Sequence, residues 1–328
     1  MAGQIKKSNM KRKQLGKKGI FLTFIAISII AAFVIMFTPS SIELRKDIVA
    51  VKIRVSTLNE HVADLEKVYL ERALEATGTK AIISLINYME SQNAFLLDFE
   101  AAFEEVLLYG TIGGTPIMAD NTYAVWASKI KNVSEFTFNV DTKIEVNDIE
   151  IYQIRPWFLT VDANISLTLT SETASWDKNM MVRTEIDIQK FDDPYYLINT
   201  GGTYRNRINK SDVKFNEWTL EKVKEHIQYG TYTHFQNSNS PSFIMRFTNT
   251  SFNSSCCGIE SIVNPNDPSV GDGFGSYADY LFFNHTYQNK CNELYNVTSL
   301  WLEFKPVQME FEHLALYNLT DLSVVRTC

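Results

Sequence analysis

The chain has 328 residues, 45% apolar and 12% aromatic, which suits two folded domains with a sizeable core and excludes a disordered polypeptide. Its formal net charge of -7 excludes a general nucleic-acid binder, because no basic footprint exists to neutralise phosphates. Residues 1–37 hold seven of the 31 basic residues and none of the 38 acids, so the remaining 24 bases and 38 acids give the rest of the chain a charge of -14.

After the basic head, Ile20 to Phe37 runs without a charge and would span roughly 27 Å as a helix. The pattern predicts a transmembrane helix acting as an uncleaved signal anchor, with the lipid bilayer as a partner. The seven cations on its N-terminal flank place that end in the cytoplasm of a single-pass protein, with the C-terminal body extracellular. Two features behind the segment agree with an external body. All four cysteines (Cys256, Cys257, Cys291, Cys328) follow it, an even count suited to disulfides. So do eight Asn-x-Ser/Thr glycosylation acceptors, Asn132, Asn164, Asn209, Asn249, Asn253, Asn284, Asn296 and Asn318.

Next, Ile48, Val51, Val55, Leu58, Val62, Leu65 and Tyr69 repeat in steps of three and four, an a/d stripe on a helix of about 35 residues that ends at Gly78. Three heptads are few for a coiled coil, so the stripe is expected to pack on its own domain, with a self-association seam as the competitor. Thr79–Met89 and Asp98–Tyr109 read as further helices, the second stopped by Gly110, and a short helix follows Asp120 or Asn121.

Period two then takes over. Phe136, Phe138, Val140, Ile144 and Val146 alternate with polar residues, as do Trp157 to Leu169 and Met180 to Ile188, which predicts three antiparallel strands with one dry face. Beyond Gly201–Gly202 the chain turns loop-rich, with one clear helix from Thr219 to Tyr229 closed by Gly230. The expected fold class is α+β: a transmembrane helix extended by a long amphipathic helix packed on an antiparallel sheet, then a disulfide-stapled α+β module. The expected divisions are a cytoplasmic leader at 1–19, the span at 20–37, a helical region at 42–131, the sheet at 132–202 and the second module at 203–328.

No nucleophile elbow, phosphate loop, zinc-protease helix or zinc ribbon occurs, so no catalytic residue, cofactor or metal ligand is assigned and no enzyme is expected. His61, His226, His234, His285 and His313 are scattered, and Glu310-Phe311-Glu312-His313 lacks a second histidine at helical spacing. Cys256, Cys257, His285 and Cys291 suit disulfides better than zinc. Adjacent Cys256 and Cys257 are expected not to pair, since consecutive Cα atoms lie closer than the usual disulfide separation. One of them should therefore join Cys291 and the other Cys328. The stretch from Asn264 to Gly275 has calcium-type oxygen donors in the wrong spacing and reads as a surface loop.

The junction Lys17-Lys18-Gly19 before Ile20-Phe21-Leu22-Thr23-Phe24 resembles the leader (class III signal peptide) of type IV pilin-like proteins, including archaeal surface proteins of that plan. The resemblance implies cleavage between Gly19 and Ile20 and a helix whose outer half packs on an antiparallel sheet. It covers residues 1–200. Phe24 stands at the fifth position of the cleaved chain, where major pilins carry Glu, which is similar to tip-type minor pilins. The function expected is a membrane-anchored, glycosylated cell-surface structural protein for adhesion or assembly, with a homo-oligomer or pilus-like assembly as its setting. The alternative is an extracytoplasmic ligand-binding or enzymatic domain on a membrane tether.

Overall fold

The computed structural model describes residues 17–37, 41–172, 174–236, 239–249, 256–264, 267–270, 275–287, 290–302, 305–320 and 324–326. Two compact units divide the chain, Met1–Asn59 and Glu60–Cys328.

The first unit contains α1 (Lys17–Phe37) and most of α2 (Ser41–Asp64). Among the described residues no helix is long and apolar enough to cross a membrane. The expected transmembrane anchor is therefore corrected, and with it the single-pass location with an extracellular body. Gly19 and Ile20, the expected cleavage pair, lie within α1.

In the second unit α2 passes through one π-helical turn, Leu65–Tyr69, into α3 (Leu70–Gln92). The helix thus runs past Gly78, the expected stop, and absorbs the separate helix expected from Thr79. Gly78 serves packing instead: a Cβ there would meet Ile186 Cδ1 at 2.7 Å and Phe103 Cζ at 3.5 Å. A Cβ fits there only if the end of the Ile186 side chain gives way. Helix α4 (Phe99–Tyr109) starts where the Asp98 side chain accepts from the Ala101 amide and stops at Gly110, whose φ of 73° and closeness to Met118 O exclude a Cβ. A small hairpin follows, β1 (Thr111–Ile112) with β2 (Thr115–Pro116).

Helix α5 (Tyr123–Phe138) is capped by Thr122 and ended by Asn139 at φ 51°. It takes the residues expected to open the first strand. Phe136, expected in the dry face, is 94% exposed on this helix, because an alternation of only two residues cannot outweigh a capped helical run. The sheet consists of β3 (Asp141–Arg155), β4 (Phe158–Thr170) and β5 (Ser175–Asp187), antiparallel in that order. A register shift between Val146 and Asp148 moves the apolar phase of β3 from Ile144 and Val146 to Ile149 and Ile151. Leu159, Val161, Ala163, Ile165 and Leu167 of β4 are buried as expected from their alternation. Helix α3 lies on β5, and α4 and α5 on β3. Leu58, Val62 and Leu65 of the stripe are also buried.

The remainder comprises α6 (Pro194–Asn199), α7 (Leu220–Tyr229), α8 (Met245–Thr248), α9 (Asp279–Phe283), β6 (Leu294–Leu302), β7 (Lys305–Glu310), α10 (Phe311–Leu316) and β8 (Val324–Arg326). β6 lies between β7 and β8 in a second antiparallel sheet. One hydrophobic core runs from Leu70 to Leu319 and so crosses position 203 without a break.

Candidate functional site

The densest chemistry lies inside this second unit. Asp193 caps α6 through Oδ1, which accepts from the Tyr195 amide at 2.9 Å, and this leaves Oδ2 for Arg246 Nη1 at 2.6 Å and the Tyr232 hydroxyl at 2.7 Å. Asp279, at the start of α9, accepts from Ser261 N at 3.2 Å, Ser261 Oγ at 3.0 Å and Arg246 Nη1 at 3.0 Å. Arg246 Nη2 donates to the Ile259 carbonyl, and the Tyr195 and Tyr232 rings flank the guanidinium at 5.6 and 5.5 Å. All three charged side chains are sealed from solvent. Burial opposes the charge on Arg246, but Asp193 and Asp279 overcome it and hold the guanidinium protonated. Burial pushes the Asp279 carboxyl above the usual carboxylate range, with Arg246 opposing. An ion pair in this setting contributes little net stability but is costly to break.

A second cluster adjoins the first through the consecutive residues 259–261. Glu260 accepts from the Tyr317 hydroxyl at 3.1 Å and lies 3.2 Å from His313 Nε2. On its other side His313 Nδ1 meets Glu310 Oε1, the oxygen that also caps α10 by accepting from the His313 amide. Tyr317 reaches His226 Nε2 at 3.3 Å, and His226 Nδ1 lies 2.6 Å from Thr231 Oγ1. Burial lowers His226 to about 4, with Glu260 acting in the opposite sense. Trp218 packs edge-on against both Tyr317 and His226.

Carboxylate, imidazole and phenol in contact are the parts of acid–base chemistry, yet a substrate must reach them. Glu260, His313, Tyr317 and His226 are all buried, so this cluster ties elements of the fold together. Sequence reasoning treated His226 and His313 as ordinary polar residues and did not single out Arg246, Asp193, Asp279 or Glu260. Apart from Thr231 and Glu310, their hydrogen-bonding side-chain partners lie 18 to 91 positions away, and no local spacing announces them. The one local signal was Glu310 three residues before His313.

An open cavity of about 450 Å³ lies between the end of α3 and α4, lined by Tyr88, Gln92, Phe95, Leu97, Glu105 and Ile112 among others. Glu105 is committed to its own hairpin, accepting from Thr111 Oγ1 at 2.7 Å and from the amides of Gly113 and Gly114. These bonds, Thr111 first, hold its carboxyl below the ordinary range. On the outer face of the sheet Arg183 grips Asp162 through two bonds of 2.7 Å, and Tyr152 donates to the same carboxylate at 3.0 Å.

The cysteine expectation is corrected: Cys256 is bonded to Cys257, and the disulfide forms within a tight turn that needs no distant partner. The Cys291 side chain and Cys328 lie outside the described residues, as does Asn253. Asn132, Asn209, Asn249 and Asn318 are exposed and Asn164, Asn284 and Asn296 half-buried, with Asn284 accepting from Tyr195 and Asn296 from Gln308. Much of the Asn264–Gly275 loop also lies outside the described residues. Among the described residues no group of three or more His, Cys, Asp or Glu side chains is placed to hold a metal ion. Comparison with family models, with curated proteins and with solved structures finds no match.

Proposed function

We propose that the chain is a structural subunit that assembles with other subunits through its N-terminal helix, pilin-like in plan, with a role in adhesion or scaffolding and no catalytic activity. The observation that carries this reading is the surface of α1. Phe24, Ile25, Ile27, Ile29, Ile30 and Met36 are all exposed, and at 100° per residue they surround the helix. A helix apolar on every side belongs in an interior. The interior of a bundle of like helices supplies one, and the Lys18-Gly19-Ile20 junction fits the same plan. The body supports a non-catalytic role, since its concentrated acid–base groups are spent on one another.

The test is the assembly state of the full chain. Sedimentation velocity over a hundredfold concentration range should show species larger than a monomer. Ile27→Arg with Ile30→Arg should return the chain to a monomer with an unchanged melting temperature of the body. A parent chain that stays monomeric throughout would remove the proposal.

A further inference from the structure

The fold divides the stripe of α2 in two. Leu58 is 2% exposed, with Val62 and Leu65 also buried, whereas Ile48 and Val51 of the same stripe are 63% and 45% exposed. Counting heptads along the sequence puts Ile48 and Val55 at a, Val51 and Leu58 at d, Lys52 at e, Asp47 and Arg54 at g, and Ile53 at f.

We propose that the segment from Ile48 to Val55 is an interface for a second copy of this chain, paired with it as a parallel, in-register, two-stranded coiled coil. The proposal rests on the reading of the chain as an assembling subunit and gives that assembly its first contact. Three features select this occupant. Position a is β-branched at both Ile48 and Val55, the choice that favours two parallel strands. In a parallel pair the g position of one helix faces the following e position of the other, so Asp47 meets Lys52 of the second copy, twice by symmetry. An antiparallel pair would set Lys52 against Lys52. The third feature is the tether between the helices. Phe37 ends α1 and Ser41 begins α2, so about 14 Å is the most that can separate those ends. Parallel pairing therefore brings both α1 helices to one end, where their apolar surfaces cover each other. Antiparallel pairing would leave each α1 uncovered at an opposite end.

The experiment uses the full chain with Val51→Cys or Ile53→Cys, under mild oxidation, with peptide mapping of any disulfide that joins the substituted position of one copy to the same position of another. Rapid cross-linking at 51 and little at 53 is expected. Lys52→Glu should weaken dimerisation about tenfold, and Asp47→Lys added to it should restore the parent affinity. Positions 51, 52 and 53 lie outside the buried core, so folding of the body is unaffected. Equal cross-linking at 51 and 53, or tighter pairing on Lys52→Glu, overturns the proposal, the latter in favour of antiparallel helices. A chain that assembles without linking at 51 overturns this pairing and leaves the assembly reading intact. A chain monomeric at every concentration ends both.

Discussion

Arg246 and Asp193 stand 53 positions apart in the sequence and meet at 2.6 Å with both side chains fully buried. Their bond joins α8 to the cap of α6, and Asp279 brings α9 to the same guanidinium. Removing Arg246 alone strands two carboxylates in the interior. Arg246→Met should therefore cost about 3 to 5 kcal/mol in urea unfolding. Combining it with Asp193→Asn and Asp279→Asn should recover a large part of that loss, because no unpaired charge is then buried. A single variant as stable as the parent would show that the charges are not coupled.

Acid should weaken the fold through His226. Its folded value of about 4 lies below the ordinary 6.5 because burial disfavours the imidazolium. Between these values the unfolded chain takes up a proton that the folded chain refuses, so stability is lost as pH falls from about 6.5 towards 4. The loss amounts to about 3 kcal/mol at the lower end. His226→Gln should flatten this limb of a stability–pH curve, and an identical limb in the variant would assign the effect elsewhere.

Gly78 offers a test in which two effects oppose each other. Alanine gains about 1 kcal/mol of helix propensity over glycine. Its methyl, however, would sit 2.7 Å from Ile186 Cδ1, and overpacking of this kind costs about 1 to 3 kcal/mol. Gly78→Ala should thus be destabilised by up to about 2 kcal/mol. Trimming the neighbour in Gly78→Ala/Ile186→Val should relieve it, and a stabilised single variant would mean that the helix is free to shift.

Val62 and Phe136 should exchange the roles that their sequence patterns suggest for charge tolerance. Val62 is buried on the stripe, so Val62→Asp should destabilise by several kcal/mol. Phe136 projects from α5 into solvent, and Phe136→Glu should leave the melting temperature within a degree or two. Equal sensitivity at both sites would place Phe136 in a contact that only an assembled state contains.

Elements that are defined by local signals were legible in advance. Strand β4 showed its buried face in an unbroken alternation, and α4 and α7 carried their caps at Asp98 and Thr219 and their stops at Gly110 and Gly230. Errors arose where one residue type serves two purposes. Glycine stops a helix or admits a neighbour, and at Gly78 only the proximity of Ile186, 108 positions later, decides between them. The bulge after Val146 was hidden because a phase change inside one strand looks like a boundary between two. Of the ionic clusters only the Glu310–His313 spacing was local, since every other charged member acquires its meaning from a partner brought in by tertiary packing.

The Cys256–Cys257 bond closes a ring between neighbours and spans no loop of the chain. Disulfides stabilise chiefly by shortening the excursions open to an unfolded polypeptide, and a link between consecutive residues shortens almost none. This bond therefore adds little to the cohesion of the region from α6 to α10, where the described residues supply packed aromatics and buried charges. Breaking this bond would change the shape of one turn at the foot of β3, where both sulfurs approach the Gln153 carbonyl, while the topology around it endured.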